Sequence, residues 1–270
     1  MMNSLVSMNV WVLVALITAL TLLVSGAMAF AFARLLGGEE REKAGNTAAA
    51  YMTALGSLFA ILTGFLINSE YSTLRDTQRI VGMEIAGASR LAYASASLPA
   101  ADAELVQDSL TRYLENVQAG EWQALGTGSA TRSPAIDSLR ALERSVSTIA
   151  SRAYLNDTEA SSIARAIESV TSARRQRVVI ASQSLPIALF ALSVIAGIAL
   201  VANALLVSVR AGPRYSLVAL GIILVVALDL VAILAISAPF RGAFQVDIAP
   251  VTELVNELRA GQYLDWVRIR

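Results

Sequence analysis

Apolar residues dominate four long stretches of this chain, and each stretch is long enough to cross a bilayer. A spanning helix needs about 20 mostly apolar residues. The first stretch runs from about Asn9 to Leu36 and meets no charge until Arg34. The second covers about Ala48 to Asn68. A charged loop, Gly37 to Lys43, is expected between them. The third runs from about Leu185 to Val209, opened by Pro186, and the fourth from about Tyr215 to Ala238, closed by Pro239. Their linker, Arg210 to Arg214, holds a glycine and Pro213, which suit a turn. The pattern predicts two antiparallel hairpins, over 1–68 and 185–238.

Between the hairpins, 69–184 is expected to form a soluble helical domain. Apolar residues recur there at helical spacing in Leu105, Leu110, Tyr113, Leu114 and Val117. Similar stripes read Leu139, Leu142, Val146, Ile149, and Ile163, Ala166, Ile167, Val170. Gly120 and the stretch from Gly126 to Pro134 read as interruptions, and Asn156-Asp157-Thr158 as a helix start. Three to five helices are expected, the first continuing the second span. The tail, 239–270, is expected to carry one short helix near Pro250 to Arg259. The fold class is thus an all-α membrane protein of four spans with an inserted helical domain.

Composition agrees and narrows the chemistry. Charged residues are 16% of the chain, where soluble domains carry about 25%. Mean hydropathy is +0.60. The 21 basic and 21 acidic residues balance, so no nucleic-acid partner is expected. Cysteine and histidine are absent, which removes thiolate and imidazole chemistry. The sole lysine, Lys43, has no glycine-rich phosphate loop before it. Neither enzyme activity, nor a cofactor, nor a metal site is expected. A long apolar run without a basic start argues against a cleaved leader. Arg34, Arg41, Lys43, Arg210 and Arg214 on one side nearly balance Arg75, Arg79, Arg174, Arg175, Arg177 and Arg241 on the other. Charge therefore does not choose the orientation.

Polar residues inside spans are the first functional candidates. Asp229 lies near the middle of the fourth span, where a charge costs at least about 2.5–3.5 kcal/mol. It is read either as an ion or proton site or as a carboxyl paired with Asn203 or a hydroxyl within the bundle. Asn203, in the third span, is read as packing glue. In the second span, Ser57, Ile61 and Phe65 share one face, and Leu58, Leu62 and Leu66 the next. Ser57, Leu58, Ile61, Leu62, Phe65 and Asn68 are candidates for a hydrophobic constriction, which can gate by dewetting. Ordinary helix packing is the competing reading. Glu70, Arg75, Asp76 and Glu84 follow within about four turns and are candidates for a pore mouth. Three of those four are acids, which favours cations.

The run Asn68, Ser69, Tyr71, Arg75, followed by Ser89, Arg90 and Ala92, resembles the bestrophin channel family. So does Pro239-Phe240 with Gly242 after the fourth span. Glu84 with Ala86, Tyr113, and Glu121-Trp122 are similar to the bacterial bestrophin-like group. Two departures stand out: Leu66 where an arginine is common, and only Asp247 from the acidic cluster that follows Pro-Phe. These weaken any expectation of calcium gating or of an anion preference based on that arginine.

The resemblance implies a homo-oligomer, pentameric by analogy, in the bacterial inner membrane. It implies a pore lined by the second helix, inorganic ions as permeant species, and cytoplasmic termini and helical domain. Two other readings compete. One is a non-conducting receptor or scaffold whose helical domain binds a partner. The other is a proton-coupled transporter using Asp229.

Overall fold

The computed structural model describes residues 10–127, 133–183, 185–211, 216–241 and 244–264. The expected start at Asn9, residues 128–132 of the second interruption, the end of the helical domain at Ser184, the linker from Gly212 through Tyr215, and Gly242 lie outside the described residues.

The described residues contain helices and no strand. Helix α1 spans Val10–Leu35, α2 Gly38–Ala96, α3 Ala100–Asn116 and α4 Trp122–Thr127. A π turn, Val117–Glu121, joins α3 to α4. Then follow α5 Ala135–Ala150, α6 Asp157–Ser182, α7 Ile187–Ala211, α8 Ser216–Ile236 and α9 Ala249–Arg259. Four helical stretches among the described residues are long and apolar enough to cross a membrane. They lie in α1, α2, α7 and α8.

The expected charged loop between the first two spans is corrected. Its residues from Gly38 on are the first turns of α2, and only Leu36 and Gly37 separate the helices. Two of the charges there, Glu40 and Arg41, serve helix ends. The Gly37 N–H donates to Glu40 Oε2 at 3.0 Å, so Glu40 serves the start of α2, where an anion also suits the helix dipole. Arg41 Nε donates to the Leu36 carbonyl at 2.9 Å, and its Nη2 donates to that of Ala33. These carbonyls at the end of α1 would otherwise lack partners.

The chain divides into two compact units. The first comprises 1–72, 184–238 and 242–244; the second comprises 73–183, 239–241 and 245–270. Helix α2 is unbroken and supplies residues to both.

In the first unit α1, α7, α8 and the start of α2 pack together. Phe59 of α2 lies among Ala196, Leu200 and Ala204 of α7 and Ile223 and Val226 of α8. Leu66 joins Leu13 and Ile17 of α1 and Val231 and Leu234 of α8. Close approach needs small residues, as in membrane bundles generally. At Gly197 a Cβ would sit 3.0 Å from Val226 and 3.1 Å from Phe59. Asn203 is buried, and its Nδ2 donates to the Ala48 carbonyl of α2 at 2.6 Å.

The second unit has a buried apolar core of its own. Val106, Leu110 and Leu114 of α3 are buried, as are Leu139, Leu142, Val146 and Ile149 of α5. Arg140, Arg144 and Thr148 occupy the exposed face of α5. Each fully buried aliphatic side chain contributes about 1.5–3 kcal/mol. Helix α6 starts with a capping box, since Asn156 Oδ1 accepts from the Glu159 N–H at 2.8 Å. At Gly87 a Cβ would sit 3.0 Å from Ser169 and 3.1 Å from the Val170 nitrogen, so α2 and α6 nearly touch there.

Candidate functional site

The membrane part of α2 presents two unlike faces. Phe59, Thr63 and Leu66 point into the first unit; Phe59 is 3% and Leu66 1% exposed. Ile61 and Phe65 point out, at 69% and 60%. Ser57, Leu58 and Asn68 share that outward face, as do Thr53 and Gly64. Leu62 is only half-buried and packs against the Phe59 cluster. An i, i+4 row advances about 40° per step at 3.6 residues per turn. The row from Leu58 to Leu62 to Leu66 therefore winds from the outside into the bundle. Four of the six constriction candidates, with Leu58 beside them, thus share one open face, and Leu62 does not.

The polarity of that face is unusual for this unit. On α1, α7 and α8, every hydroxyl, amide or carboxyl side chain between residues 11–33, 187–209 and 217–236 is at least partly buried. Their exposed residues are Leu, Ile, Val, Phe, Trp, Ala and Gly, which suits lipid. The open face of α2 instead mixes Thr53, Ser57 and Asn68 with Ile61 and Phe65. Polar groups at membrane depth face protein or water rather than acyl chains.

Asp229 and Asn203 are not a pair. Asn203 bonds to Ala48, while Asp229 is half-buried on α8.

The mouth candidates separate. Arg75 and Asp76 are exposed on α2, and Asp76 Oδ1 lies 3.6 Å from Arg79 Nε. Glu70 is buried in the first unit. Glu84 is buried in the second unit, where it belongs to a charged cluster. Glu70 and Glu84 thus do not share the exposed surface that holds Arg75 and Asp76. At about 100° per residue, Asp76 lies about 120° from Glu70 and about 80° from Glu84 around α2, while Glu70 and Glu84 are only about 40° apart.

The charged cluster is a buried ion-pair network within the second unit. Arg177 of α6 is almost wholly buried. Its Nη2 donates to Glu121 Oε1 at 2.7 Å and to Glu84 Oε1 at 3.2 Å. Its Nε lies 3.0 Å from Glu84 Oε2. Arg174, one turn earlier, grips Glu121 with two nitrogens, Nε to Oε1 at 3.1 Å and Nη2 to Oε2 at 2.7 Å. The Tyr113 hydroxyl of α3 donates to Glu84 Oε1. Trp122 covers the cluster, with the Arg177 guanidinium carbon 5.7 Å from its ring centroid. Phe240 meets Trp122 edge to face at 5.3 Å.

Two carboxylates thus face two guanidiniums without solvent. Burial raises the Glu84 pKa above the usual carboxylate value, opposed by Arg177 and by the Tyr113 hydrogen bond. Burial, then the Glu84 charge, pushes the Tyr113 hydroxyl well above its usual range. Burial acts to lower Arg177, but Glu84, Tyr113 and Glu121 outweigh it and hold the guanidinium above its usual value. The arrangement ties α2, α3, the π turn and α6 in one register. Each carboxylate in it is engaged by arginine.

Glu84, Tyr113, Glu121-Trp122 and Phe240 were legible as family-like motifs, and the structure brings all of them to this cluster. Arg174 and Arg177 were legible only as charges near a span end. A signal existed: Ile163, Ala166 and Val170 form an apolar stripe, and Arg174 and Arg177 continue it. An arginine on the buried face of an amphipathic helix requires a buried acid. Among the described residues, no group of three or more acidic side chains is arranged to hold a metal ion.

Comparison with known proteins agrees with this architecture. A family model, the Bestrophin-like domain, matches residues 18–251. A crystal structure of a point variant of a bacterial bestrophin homologue from Klebsiella pneumoniae superimposes with a TM-score of 0.70 at 14% identity, covering 91% of this chain and 99% of that one. A second variant of that homologue gives 0.69 at 14% identity, covering 92% and 98%. A structure described only as a membrane protein variant gives 0.67 at 15% identity, covering 93% and 98%. At such identities the likeness speaks for the fold. No curated protein matches the chain.

Proposed function

The chain belongs to the bestrophin-like family, and from that premise we propose that it is the subunit of an oligomeric ion channel whose pore is lined by α2. One observation carries the reading. Between residues 53 and 68 the exposed hydroxyl and amide side chains, Thr53, Ser57 and Asn68, share one face of α2, while the exposed side chains of α1, α7 and α8 between residues 11–33, 187–209 and 217–236 are apolar. A face holding Thr53, Ser57 and Asn68 belongs against water or another subunit. A single chain of four spans encloses no aqueous path, so copies must surround one. Five copies is the number the family resemblance implies.

In such a ring Ile61 and Phe65 form the narrow apolar neck, flanked by Ser57 on one side and Asn68 on the other. An apolar constriction of this kind stops ions by shedding water. Leu62 supports the neck from behind rather than lining it. Beyond the neck the exposed charges of α2 up to Arg79 are Arg75, Asp76 and Arg79, with Asp76 and Arg79 paired. The inward turn of Glu70 and Glu84 removes the main support for a cation preference. The second unit and the termini are cytoplasmic in this reading, by the same resemblance.

The test is ion flux from liposomes holding the purified oligomer, with potassium, sodium and chloride gradients applied separately. Ion-dependent flux is expected. Absence of flux in every gradient, from protein shown to be folded and oligomeric, overturns the channel reading in favour of a receptor or scaffold.

A further inference from the structure

The first unit contains an apolar slot between α1, α7 and α8, with a volume of about 280 Å³. Its shape is the informative feature. Its wall on α1 runs from Leu16 to Met28, about 18 Å at 1.5 Å per residue. Phe190 to Val201 of α7 and Val226 to Leu234 of α8 flank it over about 16 Å and about 12 Å. The slot therefore lies along the helices rather than across them. Its floor is buried, at Ile17, Ser25, Val201 and Leu234, while its rim at Leu16, Leu20 and Ile198 is exposed. It opens sideways, at the depth where the spans meet hydrocarbon.

The lining has no unmet polar group to recognise a polar ligand. Its two hydroxyls are satisfied within α1, since Thr21 donates to the Ile17 carbonyl at 2.8 Å and Ser25 to the Thr21 carbonyl at 2.6 Å. Water finds no partner there, and an apolar cavity of this kind stays dry. A helix from a second copy, about 10 Å across with its side chains, does not fit a space of 280 Å³ drawn out over this length. Nor does so narrow a slot supply the roughly 800 Å² per partner that a stable interface buries.

We propose that this slot holds one acyl chain of a membrane lipid, extended parallel to α1 as a resident of the fold rather than as part of the exchanging annulus. The inference rests on the four spans and is independent of whether the chain conducts ions. The lipid fills space that would otherwise leave the lining of α1, α7 and α8 without dispersion partners.

The test uses the full-length oligomer in bilayers containing a phospholipid with a photoactivatable group midway along one acyl chain. Two variants block the slot: Val194→Trp from within, and Leu20→Trp at the exposed rim, where a large side chain leaves the core undisturbed. The expected result is labelling concentrated on residues 16–28 and 190–201, falling at least about fivefold in each variant at unchanged oligomeric state. Lipid extracted from detergent-purified wild-type protein should likewise exceed that from either variant. Labelling spread over the outer faces of α1, α7 and α8 in proportion to exposure, or labelling unchanged by both substitutions, overturns the proposal. So does a crosslink from the slot to a second copy of the chain.

Discussion

Arg177 and Glu121 form the most deeply buried ion pair of the second unit, Nη2 to Oε1 at 2.7 Å, with both side chains withdrawn from solvent. The pair spans 56 positions of sequence and joins α6 to a π turn. π turns often occur at functional sites. Here the turn brings Glu121 and Trp122 onto the inner face together.

Breaking this cluster from one side should be costly, because the remaining charge stays buried. Arg177→Met leaves both Glu84 and Glu121 short of a partner. The expected loss is about 3–5 kcal/mol, read as a large drop in thermal midpoint of the purified protein. The double variant Arg177→Met with Glu84→Gln should recover part of that loss. A midpoint unchanged in the single variant would mean that the cluster does not hold the unit together.

The two phenylalanines of the second span should behave oppositely. Phe65→Ala and Ile61→Ala remove exposed groups and are expected to leave stability within about 0.5 kcal/mol while raising single-channel conductance. Phe59→Ala empties a packed site and should cost about 3–5 kcal/mol with no direct effect on the neck. Unchanged currents in both neck variants would remove Ile61 and Phe65 from the pore.

Asn203 offers a test of packing within the first unit. Its amide bonds to a backbone carbonyl of α2, and such bonds inside membranes are worth about 0.6–2 kcal/mol. Asn203→Ala should destabilise by that amount without changing ion preference. A change in preference, measured by reversal potentials, would assign Asn203 to the ion path instead.

Alkaline pH should weaken the second unit in a definite direction. The Tyr263 hydroxyl is pushed up to about 12 from an ordinary value of 10.0, by burial first and then by its hydrogen bond to Glu257 at 2.7 Å. Its folded form holds the proton longer than the unfolded form does. The stabilisation is therefore complete below pH 10 and is lost as pH rises toward 12. Tyr113 acts with the same sign, because its hydroxyl is also raised. Tyr263→Phe should flatten the decline between these values, as followed by unfolding midpoints across pH. An identical decline in the variant would assign the alkaline sensitivity elsewhere.

Much of the architecture was legible because hydrophobic length is a property of the chain itself. Four runs of spanning length, the prolines and glycine near the ends of the third and fourth, and the heptad-like stripes of 105–117 and 139–149 each report local structure without reference to any partner. The charged segment after α1 was misread for a physical reason. Glu40 and Arg41 resemble loop residues in composition, but their side chains satisfy helix ends, and such a role depends on where the backbone groups lie.

The pore candidates divide along the same line. Periodicity put Ser57, Ile61 and Phe65 on one face of α2, and that much is geometry of a single helix. Whether that face or the opposite one meets the bundle depends on α7 and α8, which close around Phe59 and Leu66. Glu70 and Glu84 lie on α2 near Asp76, and sequence distance alone grouped the three. Periodicity sets Asp76 apart from the other two, and the tertiary structure decides that Glu84 is buried, because α6 brings Arg177 against it from 93 residues away. The sequence by itself determined the spans, the helical class and the absence of imidazole and thiol chemistry. The tertiary structure decided which side of each helix is buried and which charges are neutralised, because both depend on contacts between residues far apart in the chain.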